Sequence, residues 1–294
     1  MKTRSVFAAI VGKPNTGKST ILNALVGQKI AAVTDKPQTT RTRITGILTQ
    51  DETQFVFIDT PGLHNPRTKL SEHMVKSVND AFDGVDAVVL VIEPKGRLKA
   101  EENAIIEIMK NSSCGKILVI NKIDRDKDKG IIASRIAELS AICEFDCLIP
   151  ISALKKDGLH ILLSELEKFA VEGPHFYPED AVTDQTQRAI IAEILREKLM
   201  YRMQEEIPHG IAVEIESYTE KPGIYDIGAV IYCEKASHKG MVIGKYGANL
   251  KEIATKARQD METHLARKVN LQCWVKVKED WRNREKFIRE LGLS

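Results

Sequence analysis

Residues 12–19 read GKPNTGKS and fit the pattern G-x-x-x-x-G-K-[ST] at every fixed position. An apolar run at residues 6–11 precedes them and predicts a buried strand, and the amphipathic run TILNALVG follows them and predicts a helix. Glycine allows the backbone to curl so that successive N–H groups point at phosphate oxygens, and the positive end of the helix dipole faces the same anion. The stretch therefore predicts a phosphate-binding loop between a strand and a helix.

Four side chains or peptide groups are expected to act on nucleotide phosphates and on Mg²⁺. Lys18 would reach the β- and γ-phosphates, and the Ser19 hydroxyl would bind Mg²⁺. Asp59 follows the apolar run QFVFI, a predicted strand, so its carboxylate would hold the metal through water. Gly62 comes three residues later, and its backbone N–H would approach the γ-phosphate and turn away when that phosphate leaves.

Two further strand ends predict the choice of base. Residues 121–124 read NKID after the apolar run KILVI, and residues 152–154 read SAL after CLIPI. The Asp124 carboxylate can accept hydrogen bonds from N1–H and from the exocyclic amino group of guanine, and adenine lacks both donors. Lys122 would lie along the base plane, Asn121 would tie its loop to residues 12–19, and the SAL backbone would face the guanine O6. The pattern favours GTP over ATP.

Taken in this order, the four motifs resemble those of the translation-factor-related GTPases, and the resemblance covers about residues 5–171. It implies a doubly wound α/β fold, which agrees with the alternation of apolar and helix-periodic runs and with a hairpin near residues 44–58. The residues expected to bind GTP are Gly12, Lys13, Pro14, Asn15, Thr16, Gly17, Lys18, Ser19, Thr20, Asp59, Thr60, Pro61, Gly62, Asn121, Lys122, Asp124, Ser152, Ala153 and Leu154.

The polar stretch KPQTTRTR, residues 36–43, resembles the first switch of this superfamily. The resemblance implies that one of Thr39 and Thr40 ligates Mg²⁺ in the triphosphate state; Thr40 is favoured and Thr39 stays open. The expected Mg²⁺ ligands are therefore Ser19, Thr40 and Asp59, and the residues expected to take part in catalysis are Lys18, Thr40, Gly62 and Asn15.

Leu63 follows Gly62, at the position where Ras-like enzymes carry the glutamine that orients the attacking water. Leucine cannot orient water, so slow intrinsic hydrolysis is expected. Arg41 and Arg43 stay open as sources of positive charge. The hydrophobic residue resembles that of a subgroup which uses bound K⁺ and the residue equivalent to Asn15, so K⁺ stimulation is a further expectation.

The second half of the chain shows a different pattern. Residues 173–183 are polar and proline-containing and predict a linker between a first domain, residues 1–172, and a second, residues 184–294. In the second domain a helix, two strands, the stretch VIGKYGANL at residues 242–250, a helix, a strand and a last helix are predicted in that order. Residues 235–289 contain 14 Lys and Arg against 6 Asp and Glu, although the net charge of the whole chain is only +2.

The spacing G-x-x-G at residues 244–247 does not fit a second nucleotide loop, because only two residues separate the glycines. It resembles the loop of type II KH domains, and the resemblance implies a smaller α+β domain that binds single-stranded RNA along an apolar groove. Ile253 is expected to line that groove, Trp274 to lie in the core, and Trp281 is left open. The residues expected to bind RNA are Met241, Val242, Ile243, Gly244, Lys245, Tyr246, Gly247 and Lys251.

A GTPase domain followed by a KH-like domain resembles the KH-domain-containing ribosome-assembly GTPases. That resemblance implies binding to the 3′ end region of 16S ribosomal RNA and to the 30S subunit, a monomer in the cytoplasm, and peripheral association with the inner face of the cell membrane. Two alternatives stay open: a related GTPase of tRNA modification or 50S assembly, and a membrane-associated GTPase with a protein-binding second domain. The five cysteines contain no C-x-x-C pair, which favours reduced thiols.

Overall fold

The computed structural model describes residues 2–36, 39–62, 68–125, 129–204 and 207–293. These residues form two compact units. The first comprises most of residues 2–184, and the second comprises residues 185–293 together with the short segment 68–70.

The first unit is built on one twisted sheet with the strand order β2-β3-β1-β4-β5-β6. β2 is antiparallel to β3, and the other neighbours in that order are parallel. Its strands are β1 (Arg4–Val11), β2 (Ile44–Gln50), β3 (Thr53–Asp59), β4 (Ala87–Ile92), β5 (Gly115–Asn121), β6 (Cys147–Ile151) and a short β7 (Val171–Glu172). Its helices are α1 (Lys18–Val26), α2 (Lys69–Asp80), which belongs to this unit from Ser71 onward, α3 (Ala100–Lys110), α4 (Lys129–Ser140) and α5 (Leu159–Glu167).

Both faces of this sheet are buried, which explains the unbroken apolar runs of the inner strands. In β4 the side chains of Ala87, Val89 and Val91 belong to one core cluster, and those of Val88 and Leu90 belong to the cluster on the other face. Parallel strands place their carboxyl ends at one edge of the sheet. The polar residues that follow β1, β3, β5 and β6 therefore meet at that edge.

Residues 171–183 lie along the first unit. β7 pairs antiparallel with β1, the ring of Phe176 packs edge-on against that of Phe7 with centroids 4.9 Å apart, and the Gln54 carboxamide bonds the backbone of Tyr177. Farther along, the Thr183 hydroxyl donates to the Thr45 carbonyl at 2.6 Å. The segment predicted as a linker is thus hydrogen-bonded to the first unit over most of its length.

The second unit is a sheet in the order β10-β9-β8, with β9 parallel to β10 and antiparallel to β8. Helices cover one face, with Ile191, Leu195, Val242, Ala257 and Met261 in the shared core. The elements are α6 (Gln187–Arg202), β8 (Ala212–Lys221), β9 (Ile224–Cys233), α7 (Ala236–Ile243), α8 (Ala248–Leu265), β10 (Lys268–Val277) and α9 (Glu285–Glu290). Together the two units give the predicted fold, an α/β nucleotide-binding domain followed by a smaller α+β domain.

The second unit differs from the sequence analysis in three respects. α7 was not expected, because its sequence ASHKGMVI is short and shows no clear amphipathic period. The helical spacing of apolar residues in TQRAIIAEILREKLMYRMQEEI predicts a helix that ends at Pro208, but α6 ends at Arg202. Trp274 was expected in the core and is 47 % exposed, whereas Trp281 is fully buried and donates its indole N–H to the Gly210 carbonyl at 2.9 Å. Within the described ranges, no helix combines the length and the apolar character that crossing a membrane requires.

Candidate functional site: a nucleotide cleft and a glycine loop

The loop of residues 12–19 leaves β1 and enters α1, as predicted. Gly12 has φ 148° and Gly17 has φ 97°, in the region that favours glycine. A Cβ on Gly12 would lie 2.4 Å from the Val91 carbonyl oxygen, and one on Gly17 would lie 2.3 Å from the Asn121 side-chain nitrogen. Both glycines are therefore required by the neighbouring strand ends as well as by the curl of the loop.

Lys18 lies at the centre of this loop and is 5 % exposed. Its Nζ donates to the carbonyls of Gly12 at 3.0 Å and Lys13 at 3.1 Å. Burial lowers the pKa of Lys18 to about 8, against the opposing charge of Asp59. A buried ammonium held by backbone carbonyls is well placed to receive the negative charge of a phosphate.

Three oxygen donors converge beside Lys18. Asp59 Oδ2 accepts from the hydroxyls of Ser19 at 2.6 Å and Thr40 at 3.3 Å, and those hydroxyl oxygens are 2.8 Å apart. Asp59 is fully buried, its other oxygen, Oδ1, has no hydrogen-bond partner within the described residues, and burial raises the pKa of this carboxyl to about 6. Hydroxyl and carboxylate oxygens with an unsatisfied buried carboxylate fit Mg²⁺.

The choice between Thr39 and Thr40 follows from the same geometry. The Thr39 hydroxyl lies 2.7 Å from that of Thr34 and donates to the Lys36 carbonyl at 2.7 Å. Of the two threonines, it is Thr40 whose hydroxyl joins Ser19 and Asp59. The donor set therefore favours Thr40 as the metal ligand.

The Asp59-to-Gly62 segment returns to the phosphate loop. Thr60 and Pro61 are buried, and the Thr60 hydroxyl donates to the Ile10 carbonyl at 3.0 Å. A Cβ on Gly62 would lie 2.7 Å from the Pro14 backbone nitrogen, so this position has no room for a side chain. The backbone of Gly62 thus lies against the phosphate loop. Leu63 lies outside the described residues.

The opposite end of the cleft carries the residues predicted to select the base. Asn121 is buried and joins two loops, because its Nδ2 donates to the Thr16 carbonyl at 2.8 Å and its Oδ1 accepts from the Ala153 N–H at 3.1 Å. The Ser152 hydroxyl donates to Asp124 Oδ1 at 2.5 Å, and the side chain of Leu154 is 78 % exposed. Asn121 thus fixes the base-selecting loop against the phosphate loop.

The remaining predicted residues of the cleft take several positions. Asn15 has φ 66°, and its side-chain amide donates to the Asp35 carbonyl. Thr20 lines the cleft, and Arg41 is buried at 4 % exposure. Lys13 points to the buried carboxylate of Glu102, with Nζ and Oε1 3.4 Å apart. The sequence did not single out Glu102, which also accepts from the Lys99 N–H at the start of α3.

The glycine loop of the second unit joins α7 to α8. Gly244 has φ 72° and ψ 176°, and its Cα faces Asn249, whose side-chain atoms would lie 2.8–2.9 Å from a Cβ placed there. Asn249 in turn donates to the Met241 carbonyl and accepts from the Arg202 guanidinium, both at 2.9 Å. By contrast, a Cβ on Gly247 would meet open space beyond its chain neighbours and the backbone of its own turn. The two glycines therefore face different surroundings.

The side chains predicted to bind RNA separate into two groups. Lys245, Tyr246 and Lys251 are exposed, Tyr246 to 97 %, and Met241 is half-exposed. Ile243 is partly buried. Val242 and Ile253 are 0 % and 1 % exposed and belong to the core. Ile253 also lies at the base of a cavity between α6 and α8, beside Tyr201 and Lys256. The helix period explains the difference, because α7 buries Val242 and turns its neighbours outward.

A phosphate loop with a Mg²⁺-type donor set at one end and an Asn-Lys-Ile-Asp segment at the other defines a GTP-binding domain, here followed by a KH domain. The family described as 50S ribosome-binding GTPase matches residues 7–122, and the KH domain family matches residues 206–282. The chain is 47 % identical to the GTPase Era of Clostridium novyi (strain NT) and 45 % identical to that of Clostridioides difficile (strain 630), each match covering 99 % of both chains. The chain belongs to the GTPase Era family.

Two solved structures agree with this assignment. The crystal structure of a single-residue variant of Aquifex aeolicus Era bound to GDP·AlF4⁻ has a TM-score of 0.95 at 36 % identity and covers 100 % of both chains. That of Era in complex with MgGDPNP and nucleotides 1506–1542 of 16S ribosomal RNA has a TM-score of 0.95 at 36 % identity and covers 99 % of both chains. The predictions of a GTPase, of its fold and of its KH domain are confirmed.

Proposed function

We propose that this chain is a GTP-driven switch that binds the 3′ end region of 16S ribosomal RNA and assists assembly of the 30S subunit. The observation that carries the proposal is the full-length likeness to Era, one solved complex of which holds MgGDPNP and nucleotides 1506–1542 of that RNA. The alternatives of a tRNA-modification GTPase and of a protein-binding second domain have no comparable observation in their favour.

The chemistry of the glycine loop supports single-stranded RNA as the ligand. Gly247 leaves open space above the backbone, so a phosphate can approach closely, and the start of α8 turns its positive dipole end to the same place. Lys245 and Lys251 are exposed on either side of this glycine. Tyr246 and Met241 offer exposed apolar atoms to bases.

In the nucleotide cleft each residue has a physical role. Ser19, Thr40 and Asp59 would hold Mg²⁺, which when bound neutralises charge on the β- and γ-phosphates. Lys18 places a buried ammonium against the same phosphates, and Gly62 offers its N–H where a γ-phosphate ends. The Asp124 carboxylate accepts hydrogen bonds from two donors of guanine. Loss of the γ-phosphate removes the group that the Gly62 N–H would contact, and we infer that RNA affinity changes with it.

Slow intrinsic hydrolysis, stimulated by K⁺ through Asn15, is part of the proposal. The motivation is Leu63, which cannot orient water, and the position of Asn15 beside the backbone of Asp35. Single-turnover hydrolysis in KCl should exceed that in NaCl at equal ionic strength, and Asn15→Ala should abolish the difference. Equal rates for the parent protein in the two salts would remove K⁺ from the mechanism.

The RNA half of the proposal is tested by filter binding. Short single-stranded RNAs that carry the 3′ end sequence of 16S ribosomal RNA should bind more tightly to the GTP-analogue form than to the GDP form. Lys245→Gln should lower RNA affinity. It should also reduce the magnitude of the slope of log K against log[salt] by about 0.7, since it removes one phosphate contact to a single strand. Lys286→Gln is the matched control, because its side chain is 93 % exposed on α9, away from the glycine loop in sequence and element. No preference for the nucleotide form, or equal effects of the two variants, would contradict the proposal.

We further propose a cytoplasmic monomer that associates peripherally with the inner face of the cell membrane. Sedimentation equilibrium tests the monomer, and flotation with vesicles of bacterial lipid tests the association. A dimer, or protein that stays with the soluble fraction at low salt, would overturn the corresponding part.

A further inference from the structure

Lys122 is held in a specific pose by two contacts that the motif alone does not predict. Its ammonium donates to the backbone carbonyl of Asn15 and to the carboxylate of Glu93. Lys122 itself has φ 70°, an uncommon conformation for a residue with a side chain. The Lys122 side chain passes Gly17, with Cε 4.0 Å from a Cβ placed there. The pose therefore stretches the aliphatic part of Lys122 between the base-selecting loop and the phosphate loop.

Glu93 reaches this point because of the sheet topology. β4 and β5 are parallel neighbours with Ile92 opposite Ile120, so the residues that follow them emerge side by side. Glu93 is the first residue after β4, and Lys122 is the first residue after β5. The Lys122 side chain is 20 % exposed and that of Glu93 is 30 % exposed, so the ion pair is partly withdrawn from water.

We infer that Glu93 is a positioning residue for guanine-nucleotide binding, which acts by fixing Lys122 against Asn15 so that the Lys122 side chain forms one wall of the base site. The inference rests on the proposed binding of GTP and GDP in this cleft. Glu93 does not touch the nucleotide in this scheme. It removes rotamer freedom from a long side chain before the ligand arrives, which lowers the entropy cost of binding.

The negative charge of Glu93 allows its positioning role to be distinguished from simple repulsion of the nucleotide phosphates. A carboxylate near a phosphate-binding loop repels a polyanionic ligand, and more strongly a triphosphate than a diphosphate. If charge alone mattered, Glu93→Gln would tighten binding, and tighten GTP more than GDP. If Glu93 positions Lys122, the same substitution weakens binding, and by the same factor for both nucleotides, because both carry the same base.

The test measures the dissociation constants of fluorescently labelled GDP and of a labelled, non-hydrolysable GTP analogue. Glu93→Gln should raise both constants by about tenfold, the equivalent of about 1.4 kcal/mol, which is close to the lower end of the range for hydrogen bonds to charged groups. Glu107→Gln is the matched control: Glu107 forms a similar ion pair with Lys110 on the surface of α3, at 2.7 Å, and its loss should leave both constants unaltered.

A double-mutant cycle separates positioning from a general loss of structure. Lys122→Met should itself weaken binding, and adding Glu93→Gln to it should cause no further weakening, because the group that Glu93 fixes is gone. Tighter or unchanged binding by Glu93→Gln, unequal loss for the two nucleotides, or additive effects in the cycle would overturn the inference. Failure of the unaltered protein to bind GDP would instead overturn the proposed function.

Discussion

Replacement of Gly244 by alanine should destabilise the second unit far more than replacement of Gly247, although both belong to the same G-x-x-G loop. Gly244 has φ 72° and ψ 176°, a backbone region open essentially to glycine alone, and alanine there costs about 1–3 kcal/mol. Its Cβ would also meet the Asn249 side chain at 2.8–2.9 Å and displace it. Displacement breaks the hydrogen bonds of Asn249 to Met241 and Arg202, each worth about 0.5–1.5 kcal/mol. The free energy of unfolding should fall by about 2–6 kcal/mol.

Gly247 has φ 80° and ψ 8°, and a Cβ placed there would meet open space beyond its chain neighbours and the backbone of its own turn. Alanine at this position meets only the left-handed backbone cost of about 1–2 kcal/mol. Its methyl group would, however, fill the space through which we propose that an RNA phosphate approaches. Gly247→Ala should therefore lose RNA affinity while it keeps most of the stability of the unit.

Chemical denaturation followed by tryptophan fluorescence measures the relevant stability directly. The chain has two tryptophans, Trp274 and Trp281, and both lie in the second unit, so the signal reports that unit in the full-length protein. Gly240→Ala is the control: Gly240 lies inside α7 with open space around a Cβ placed there, so alanine should stabilise by about 0.5–1 kcal/mol. Equal destabilisation by Gly244→Ala and Gly247→Ala, or the reverse order, would refute the inference that the hydrogen bonds of Asn249 stabilise this loop.

Three further predictions concern single side chains. Asp124→Asn should move the nucleotide preference from GTP towards xanthosine triphosphate, measured by competition binding, because an amide can donate to the oxygen that replaces the guanine amino group. Asn121→Ala should lower the stability of the first unit by at least about 2 kcal/mol in circular dichroism melts, since it leaves the Thr16 carbonyl and the Ala153 N–H without that partner. Burial raises the pKa of the Cys273 thiol to about 11, so its alkylation, followed by mass spectrometry of its peptide, should rise about tenfold per pH unit from pH 8 to 10 without levelling.

Most of the first unit could be predicted because its signals are local and repeated. The inner apolar runs are parallel strands buried on both faces, as for Ala87–Ile92, and polar motifs follow the neighbouring strands. The carboxyl ends of parallel strands meet at one edge of the sheet, so the sequence alone predicts that Asn121 lies close to the phosphate loop. Each motif also fixes where its oxygen-bearing side chain lies, so the Mg²⁺-type cluster of Ser19, Thr40 and Asp59 could be predicted from the sequence as well.

Predictions for the second unit were weaker where packing overrides local pattern. α7 is short, and its glycine at position 240 lowers helix propensity, so only its position over the sheet keeps it helical. Trp274 alternates within β10 in the way a core residue does, but it lies on the face of the sheet that carries Asn270 and Lys276 rather than on the helix-covered face. Alternation shows that a strand has two faces, and it does not show which of them is covered.

Glu93 and Asn249 could not be found from the sequence for a related reason. Glu93 lies 29 residues before Lys122. Asn249 lies two residues after the glycine loop, but the G-x-x-G pattern does not include it, and Arg202, which donates to it, lies 47 residues earlier. A motif specifies the residues that meet the ligand, because the chemistry of the ligand constrains them. The side chains that hold those residues in place are constrained only by the fold, so many residue types at many positions could serve. Their identity becomes visible when the distances between neighbouring strand ends and helix ends are known.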